Sequence, residues 1–113
     1  MTPARACYAF IMLELRPTCE HCNRPLPPDS AEARICSFEC TFCASCVAGV
    51  LLGTCPNCGG GFVPRPIRPA RDLKGGNFLG KYPASTVVRH RPVDREAHAA
   101  FVAALRAQAP ERG

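Results

Sequence analysis

The sequence predicts a single small domain that is stabilised by bound metal and is followed by an extended tail and a terminal helix. The chain has 113 residues, of which 9 are Cys, 12 are Pro and 9 are Gly, and it contains no Trp. A chain of this length has room for one domain, and its few large apolar side chains cannot form a core that is stable alone. Such domains are usually held together by disulfides or by metal ions.

The cellular compartment decides between these two kinds of cross-link. The apolar stretch over residues 6–15 is short, contains Glu14, and lacks both the Lys/Arg-rich leader and the cleavage site of a secretory signal. We therefore expect a cytoplasmic protein that does not associate with a membrane. In a reducing compartment, closely spaced cysteines are more often metal ligands than disulfides, and zinc is the leading candidate.

Composition divides the chain into four segments. Eight of the nine cysteines and most of the large apolar side chains are concentrated in one of them. The segment that follows is rich in Pro and Gly, which disfavour helices and sheet ladders. We expect a flexible leader over residues 1–12, a two-zinc module over residues 13–63, an extended basic linker over residues 64–92, and a C-terminal helix over residues 93–110.

The C-terminal helix is predicted from its cap and its periodicity. Asp94 can cap the first turn, and Ala97, Phe101 and Leu105 recur every four residues, as the buried stripe of an amphipathic helix does. Pro110 follows its end. The sequence therefore predicts one terminal helix with a weak apolar stripe at Ala97, Phe101 and Leu105.

The cysteines of the module occur at the spacing of metal ligands. Two thiolates in a C-x2-C turn can bind one ion, and tetrahedral zinc takes four such ligands. Spacing alone leaves open whether the pairs are used sequentially or interleave. The eight cysteines predict two closed zinc sites, formed by Cys19, Cys22, Cys36, Cys40, Cys43, Cys46, Cys55 and Cys58.

An iron–sulfur cluster is the competing interpretation of these cysteines. Cys40, Cys43 and Cys46 reproduce the opening of a bacterial ferredoxin run. That run continues with C-x3-C-P, whereas eight residues precede Cys55 here, and the separate CPNC turn is left unexplained. Two zinc ions account for more of the sequence.

The order of the cysteines resembles that of the RING finger. The segment from Cys40 to Cys46 is similar to the H-x-F-C-x-x-C core of that family, with Cys40 in the histidine position, and CPNC is similar to its final CPxC. The resemblance implies a RING-like or treble-clef-like α+β fold with a short hairpin and a helix. It also implies interleaved ligation, with one ion bound by Cys19, Cys22, Cys43 and Cys46 and the other by Cys36, Cys40, Cys55 and Cys58.

A more specific resemblance is to a bacterial cysteine-rich family, domain of unknown function 1272. Its members resemble this chain in the segments MLELRPTCEHC, LPPDS, ARICSFECTFCASC, CPNCGG, RPIRPA and KYPAST, which span roughly residues 12–86. The name of the family records no reaction. This resemblance therefore implies a family identity without an activity.

The histidines and the ninth cysteine are weaker candidates for metal ligands. His21 lies inside the first C-x2-C pair, but eight cysteines already complete two sites, so we expect it to lie exposed or beside the ligands. His90 and His98 have no partner at ligand spacing and are expected at the surface. We expect Cys7 to be an unligated thiol.

The sequence favours a binding protein over an enzyme. It contains no Ser/His/Asp set, no glycine-rich phosphate loop after a strand, and no open three-ligand metal site. We expect an adaptor that binds another protein, with Phe62 and Val63 as exposed apolar candidates. A RING-type ubiquitin-like ligase is less favoured, because such ligases usually carry an aliphatic and a basic residue where this chain has His21 and Gly59.

The charge of the tail keeps a nucleic-acid partner open. Residues 64–113 carry ten basic and four acidic residues, a net charge of +6, whereas residues 1–63 carry four and five, a net charge of −1. Such a tail can fold back on the module, remain solvated, or bind phosphates through Arg65, Arg68 and Arg71. Few aromatic side chains lie among these basic residues, which disfavours a stacking platform for single strands.

Overall fold

The computed structural model describes residues 12–108. The predictions for residues 1–11, including Cys7, and for the helix beyond residue 108 lie outside the described residues. Within them the chain forms a small α+β fold with one three-stranded sheet and two helices. The elements are β1 (Ala33–Ile35), β2 (Thr41–Cys43), α1 (Ala44–Gly49), β3 (Val63–Pro64) and α2 (Arg95–Gln108).

The sheet is antiparallel, with strand order β2-β1-β3. Arg34 of β1 pairs with Phe42 of β2 on one side and with Pro64 of β3 on the other. A proline is tolerated in β3 because β3 is an edge strand, where a missing N–H breaks no ladder. In the tight turn between β1 and β2, Glu39 has a left-handed φ of 67°. This turn is the part of the sheet that carries two of the predicted metal ligands.

The core is formed by cysteines and a few large side chains packed between the sheet and α1. Leu26, Phe42 and Leu51 are fully buried and cluster with buried cysteines. Phe62, which we expected to be exposed, is half-buried, because its ring packs edge-on against Phe42 at a centroid distance of 5.7 Å. Val63 is 59% exposed, as expected.

The Pro-rich segment after β3 folds back along the module. It forms no helix or strand up to Arg95, but its backbone N–H groups donate to carbonyls of the module: Ser85 N to Leu15 O at 3.0 Å and Arg91 N to Glu20 O at 2.7 Å. An ion pair between Arg89 and Glu14 adds to these contacts. Of the arrangements that the charge pattern left open, the structure adopts the one in which the tail folds back.

Helix α2 begins as expected but buries a different face. Asp94 Oδ1 accepts a hydrogen bond from Ala97 N at 3.0 Å, which confirms the predicted cap. The fully buried side chains are His98 and Val102, one position away from the predicted stripe, of which Ala97 and Phe101 are exposed and Leu105 is half-buried. The predicted surface position of His98 is wrong. Its Nε2 lies 2.8 Å from Leu51 O, and this contact orients the helix.

Neither helix among residues 12–108 has the length and hydrophobicity that a membrane-spanning segment requires.

Candidate metal centre

The first C-x2-C pair forms a tight knuckle that turns both sulfurs to one side. Asn23 N donates to Cys19 O at 2.9 Å, and Cys19 N donates to Arg24 O at 2.9 Å. Asn23 adopts a left-handed φ of 64°, which asparagine tolerates better than most residues. The sequence CEHCN therefore carries the residue types that this turn requires.

The second knuckle repeats the same turn 36 residues later in the chain. Gly59 N donates to Cys55 O at 2.9 Å, and Cys55 N donates to Gly60 O at 2.8 Å. Gly59 stands at the left-handed position, with a φ of 78°. Glycine adopts this conformation without a steric penalty. CEHCN and CPNCG thus fold into equivalent ligand turns.

The first group of sulfurs has the geometry of a metal site. The Sγ atoms of Cys19, Cys22, Cys43 and Cys46 all lie within 4.8 Å of one another. In a zinc tetrahedron with Zn–S distances of about 2.3 Å, neighbouring sulfurs are about 3.8 Å apart. The Sγ atoms of Cys22 and Cys43 are separated by 3.8 Å. These four cysteines therefore fit a tetrahedral ion in both donor type and spacing.

The second group lies around the turn between β1 and β2. The Sγ atoms of Cys36, Cys40 and Cys55 lie within 4.8 Å of one another, and all three side chains are buried. Cys58 follows Cys55 on the second knuckle, is exposed, and accepts a hydrogen bond on its Sγ from Gly60 N at 3.4 Å. Cys36, Cys40 and Cys55 could hold a second metal ion, and Cys58, whose Sγ lies outside this 4.8 Å group, is the predicted fourth ligand.

The two groups interleave along the chain. The first uses the knuckle at Cys19 and the end of β2 with the first turn of α1, while the second uses the β1–β2 turn and the knuckle at Cys55. The first group of cysteines thus brings the knuckle at Cys19 to the end of β2, and the second group brings the knuckle at Cys55 to the β1–β2 turn. An ion in either site would cross-link parts of the chain that are far apart in sequence.

Hydrogen-bond donors surround the sulfurs of the second group. Phe38 N donates to Cys36 Sγ at 3.3 Å, and Asn57 donates from its backbone N to Cys55 Sγ at 3.4 Å and from Nδ2 to Cys40 Sγ at 3.3 Å. Hydrogen bonds of this kind orient metal ligands and stabilise their charge. Asn57 therefore supports two sulfurs of the second group, Cys55 through its backbone and Cys40 through its side chain.

The pKa values of the thiols reflect the competition between burial and these hydrogen bonds. Burial acts to raise the pKa of Cys19, but donors from the backbone of Cys22, Cys43 and His21 outweigh it, so the pKa is lowered. Burial raises the pKa of Cys46 and of Cys55. In the metal-free fold the latter two thiols hold protons, which a metal ion must displace when it binds.

Sequence reasoning missed Glu20, which joins the first knuckle to the sheet. Its side chain is 2% exposed, and its Oε2 accepts hydrogen bonds from Thr41 N and from Arg16 Nη1, both at 2.7 Å. Its backbone N donates to Thr41 O at 3.0 Å. Hydrogen bonds to Glu20 and Glu14 raise the pKa of Arg16 even though burial acts to lower it. Spacing gave no sign of this role, because a charged residue inside a C-x2-C pair is usually exposed.

His21 contacts the tail and lies beside the first sulfur group, as expected. Its Nδ1 accepts a hydrogen bond from Val93 N at 2.8 Å, and its carbonyl oxygen lies 3.1 Å from Nε2 of His90. His90 is exposed, which agrees with its predicted surface position. The histidine inside the first knuckle thus helps to hold the returning tail.

The arginines considered for nucleic-acid binding differ in accessibility. Arg65 is 4% exposed and Arg68 is half-buried, while Arg71 is exposed. Arg68 donates to Tyr82 O at 2.7 Å and Leu13 O at 2.8 Å. The guanidinium of Arg65 is enclosed by backbone carbonyls and is not accessible to a phosphate. It donates to Arg16 O at 2.9 Å, Leu26 O at 3.1 Å and Pro27 O at 3.0 Å.

Comparison with known proteins identifies the family of this cysteine-rich module. The family model described as protein of unknown function (DUF1272) matches residues 12–68. The chain belongs to this family. It is also 64% identical, over 75 residues, to the uncharacterized protein R02474 of Rhizobium meliloti (strain 1021); these residues cover 66% of this chain and 82% of that relative. The resemblance to DUF1272 is thereby confirmed. No solved structure matches this chain.

The DUF1272 match includes the whole candidate metal centre. Residues 12–68 contain both knuckles, the three strands and α1, together with Glu20 and Arg65. Helix α2 and most of the returning tail lie beyond the matched residues. The DUF1272 part of the chain therefore corresponds to the cysteine-rich module, on which the tail and α2 pack.

Proposed function

We propose that this DUF1272 protein is a cytoplasmic zinc-binding adaptor that binds another protein and has no catalytic activity of its own. The observation that supports this best is the pair of interleaved cysteine groups. Four thiolates around an ion leave no position for water or substrate, whereas catalytic zinc keeps one position open. The ions would therefore hold the fold and leave recognition to the surface.

Zinc is the ion that these groups fit best. All donors are sulfur, and the Cys22–Cys43 separation of 3.8 Å agrees with the edge of a zinc tetrahedron. Native mass spectrometry of the purified protein should give two zinc ions per chain, and the sample should be colourless and lose its fold on strong chelation. A brown sample that absorbs near ~400 nm would contradict this assignment in favour of an iron–sulfur cluster.

The module is best described as RING-like. The features that support this description are the interleaved ligand groups, the short antiparallel hairpin of β1 and β2, and helix α1, which follows β2 directly. A ligase function has less support, because Gly59 stands where such ligases usually carry a basic residue and is covered by α2, with Phe101 and Leu105 beside it. Transfer of a ubiquitin-like protein in a reconstituted assay would contradict the adaptor proposal.

The adaptor proposal can be tested directly against nucleic-acid binding. We expect the zinc-loaded protein to retain one protein partner in both low and moderate salt, and to release it on chelation. Phosphate contacts would instead give affinity for generic DNA or RNA that falls steeply with salt. Fluorescence anisotropy with generic DNA and RNA should therefore show little binding, and Arg71→Ala should change it little. Strong, salt-sensitive binding that Arg71→Ala weakens, with no protein partner recovered, would overturn the proposal.

A further inference from the structure

Helix α2 covers a groove between the end of α1 and the second knuckle. We call this groove, formed by residues 49–52 and 56–59 with Phe42 at its base, the α2 groove. Three backbone carbonyls face the helix from residues 49–52. Arg95 Nη2 reaches Gly49 O at 3.4 Å, and Arg106 Nη2 reaches Leu52 O at 3.1 Å. Together with the contact between His98 Nε2 and Leu51 O, these contacts place two cationic side chains and an imidazole on carbonyls at and just after the C-terminus of α1.

The apolar contacts of α2 are few. Val102 is 2% exposed, but it is the one apolar side chain of α2 that is fully buried among the residues the structure describes. Phe101 and Leu105 lie over the second knuckle, where a Cβ built on Gly59 would be 3.4 Å from Phe101 Cζ and 3.7 Å from Leu105 Cδ1. Phe101 nevertheless remains 40% exposed. Helix α2 therefore rests on the groove without filling it.

A solvent-open cavity of about 350 Å³ lies between the first half of α2, residues 91–94 of the tail and the module. Phe42, Pro56 and the buried Glu20 line it on the module side, and Ala97 and Phe101 line it on the helix side. The methyl group of Ala97 is too small to occupy this space, so the groove accepts a larger side chain than α2 supplies.

We infer that the α2 groove is the docking surface for a basic amphipathic helix of a partner protein, and that α2 is its exchangeable intramolecular occupant. This inference rests on the proposed adaptor function and names its surface. The partner helix would carry a large apolar residue at the position of Ala97, apolar residues at those of Val102 and Leu105, and basic residues near those of Arg95 and Arg106. Helices that bind grooves use apolar anchors at this spacing.

Helix α2 is tethered to the groove but weakly anchored in it, because Val102 is its one fully buried apolar side chain among the described residues. A tethered occupant competes at a millimolar effective concentration, so a partner must bind the open groove more tightly than α2 does. The observed affinity of a partner is its intrinsic affinity for the open groove multiplied by the fraction of molecules in which α2 has left the groove. Substitutions in α2 should therefore change partner affinity without touching the groove itself.

The test uses the full-length zinc-loaded chain and a fluorescent synthetic peptide of residues 93–108 that carries Ala97→Leu. Anisotropy titration gives the Kd of the peptide. In the protein, Arg106→Ala should loosen α2 and tighten peptide binding several-fold, because one contact with the groove is lost. Ala97→Leu in the protein should weaken peptide binding roughly tenfold, because the added methyl groups fill the cavity and hold α2 in place. Ala100→Leu, at an exposed position away from the cavity, is the matched control and should leave Kd unchanged.

Two outcomes would overturn the inference: absence of peptide binding to the Arg106→Ala protein, or equal Kd values for the wild type, Arg106→Ala and Ala97→Leu. Hydrogen exchange of the α2 amides, slower in Ala97→Leu than in Ala100→Leu, provides a second readout of the filled cavity. The titration uses a synthetic helix and no cellular partner. A negative peptide titration would therefore contradict the α2 groove inference and not the adaptor function. Failure to recover a protein partner would contradict the adaptor function and not the peptide titration.

Discussion

Arg65 is the residue whose replacement should most clearly separate a structural from a nucleic-acid-binding role of the basic tail. Its guanidinium donates three hydrogen bonds to backbone carbonyls between residues 16 and 27, and its backbone N donates to Ala33 O at 3.0 Å. Burial lowers the pKa of Arg65, so part of the gain from these bonds is offset by desolvation. At about 1 kcal/mol net for each of three bonds, Arg65→Ala should destabilise the fold by about 3 kcal/mol.

The measurement is urea denaturation of the zinc-loaded protein at a fixed free zinc concentration. Arg65→Lys keeps the charge but cannot reach all three carbonyls with a planar fork, so we expect about half of the loss. Arg71→Ala is the matched control, because Arg71 is exposed, and it should change the free energy of unfolding by less than about 0.5 kcal/mol. Equal, small effects of Arg65→Ala and Arg71→Ala would refute the structural role derived from the buried guanidinium.

Two further predictions concern the first knuckle and the metal ligands. Glu20→Ala should destabilise the fold by about 2–4 kcal/mol, because it leaves Thr41 N and Arg16 without their buried acceptor, whereas Glu32→Ala at an exposed position should have little effect in the same urea assay. Zinc affinity should fall on acidification. Burial raises the pKa of Cys40, Cys46 and Cys55 above that of a free thiol, so these thiols are protonated and zinc must displace their protons when it binds. The affinity should therefore fall by about tenfold per pH unit for each proton displaced. Competition with a zinc indicator between pH 7 and pH 5 measures this, and a constant affinity would contradict it.

The sequence predicted the parts of this protein in which chemistry depends on local spacing. A C-x2-C pair followed by Asn or Gly folds into a knuckle through contacts within six residues, so the sulfurs of each pair could be placed from the sequence. The cap of α2 is equally local, since Asp94 contacts Ala97. The face of α2 could not be predicted, because its stripe is weak and the contact of His98 with Leu51 O spans 47 residues.

The sequence by itself therefore determined the cysteine-rich module, its DUF1272 family and the residue types of its ligand turns, because these are set by residues close together in the chain. Only the tertiary structure decided how the tail is used. Composition predicted an extended linker but could not show that its N–H groups pair with the module. Arg65 and Glu20 read as surface charges in the sequence, yet both are buried. A buried charge depends on partners that folding brings from distant segments, and no local pattern encodes them.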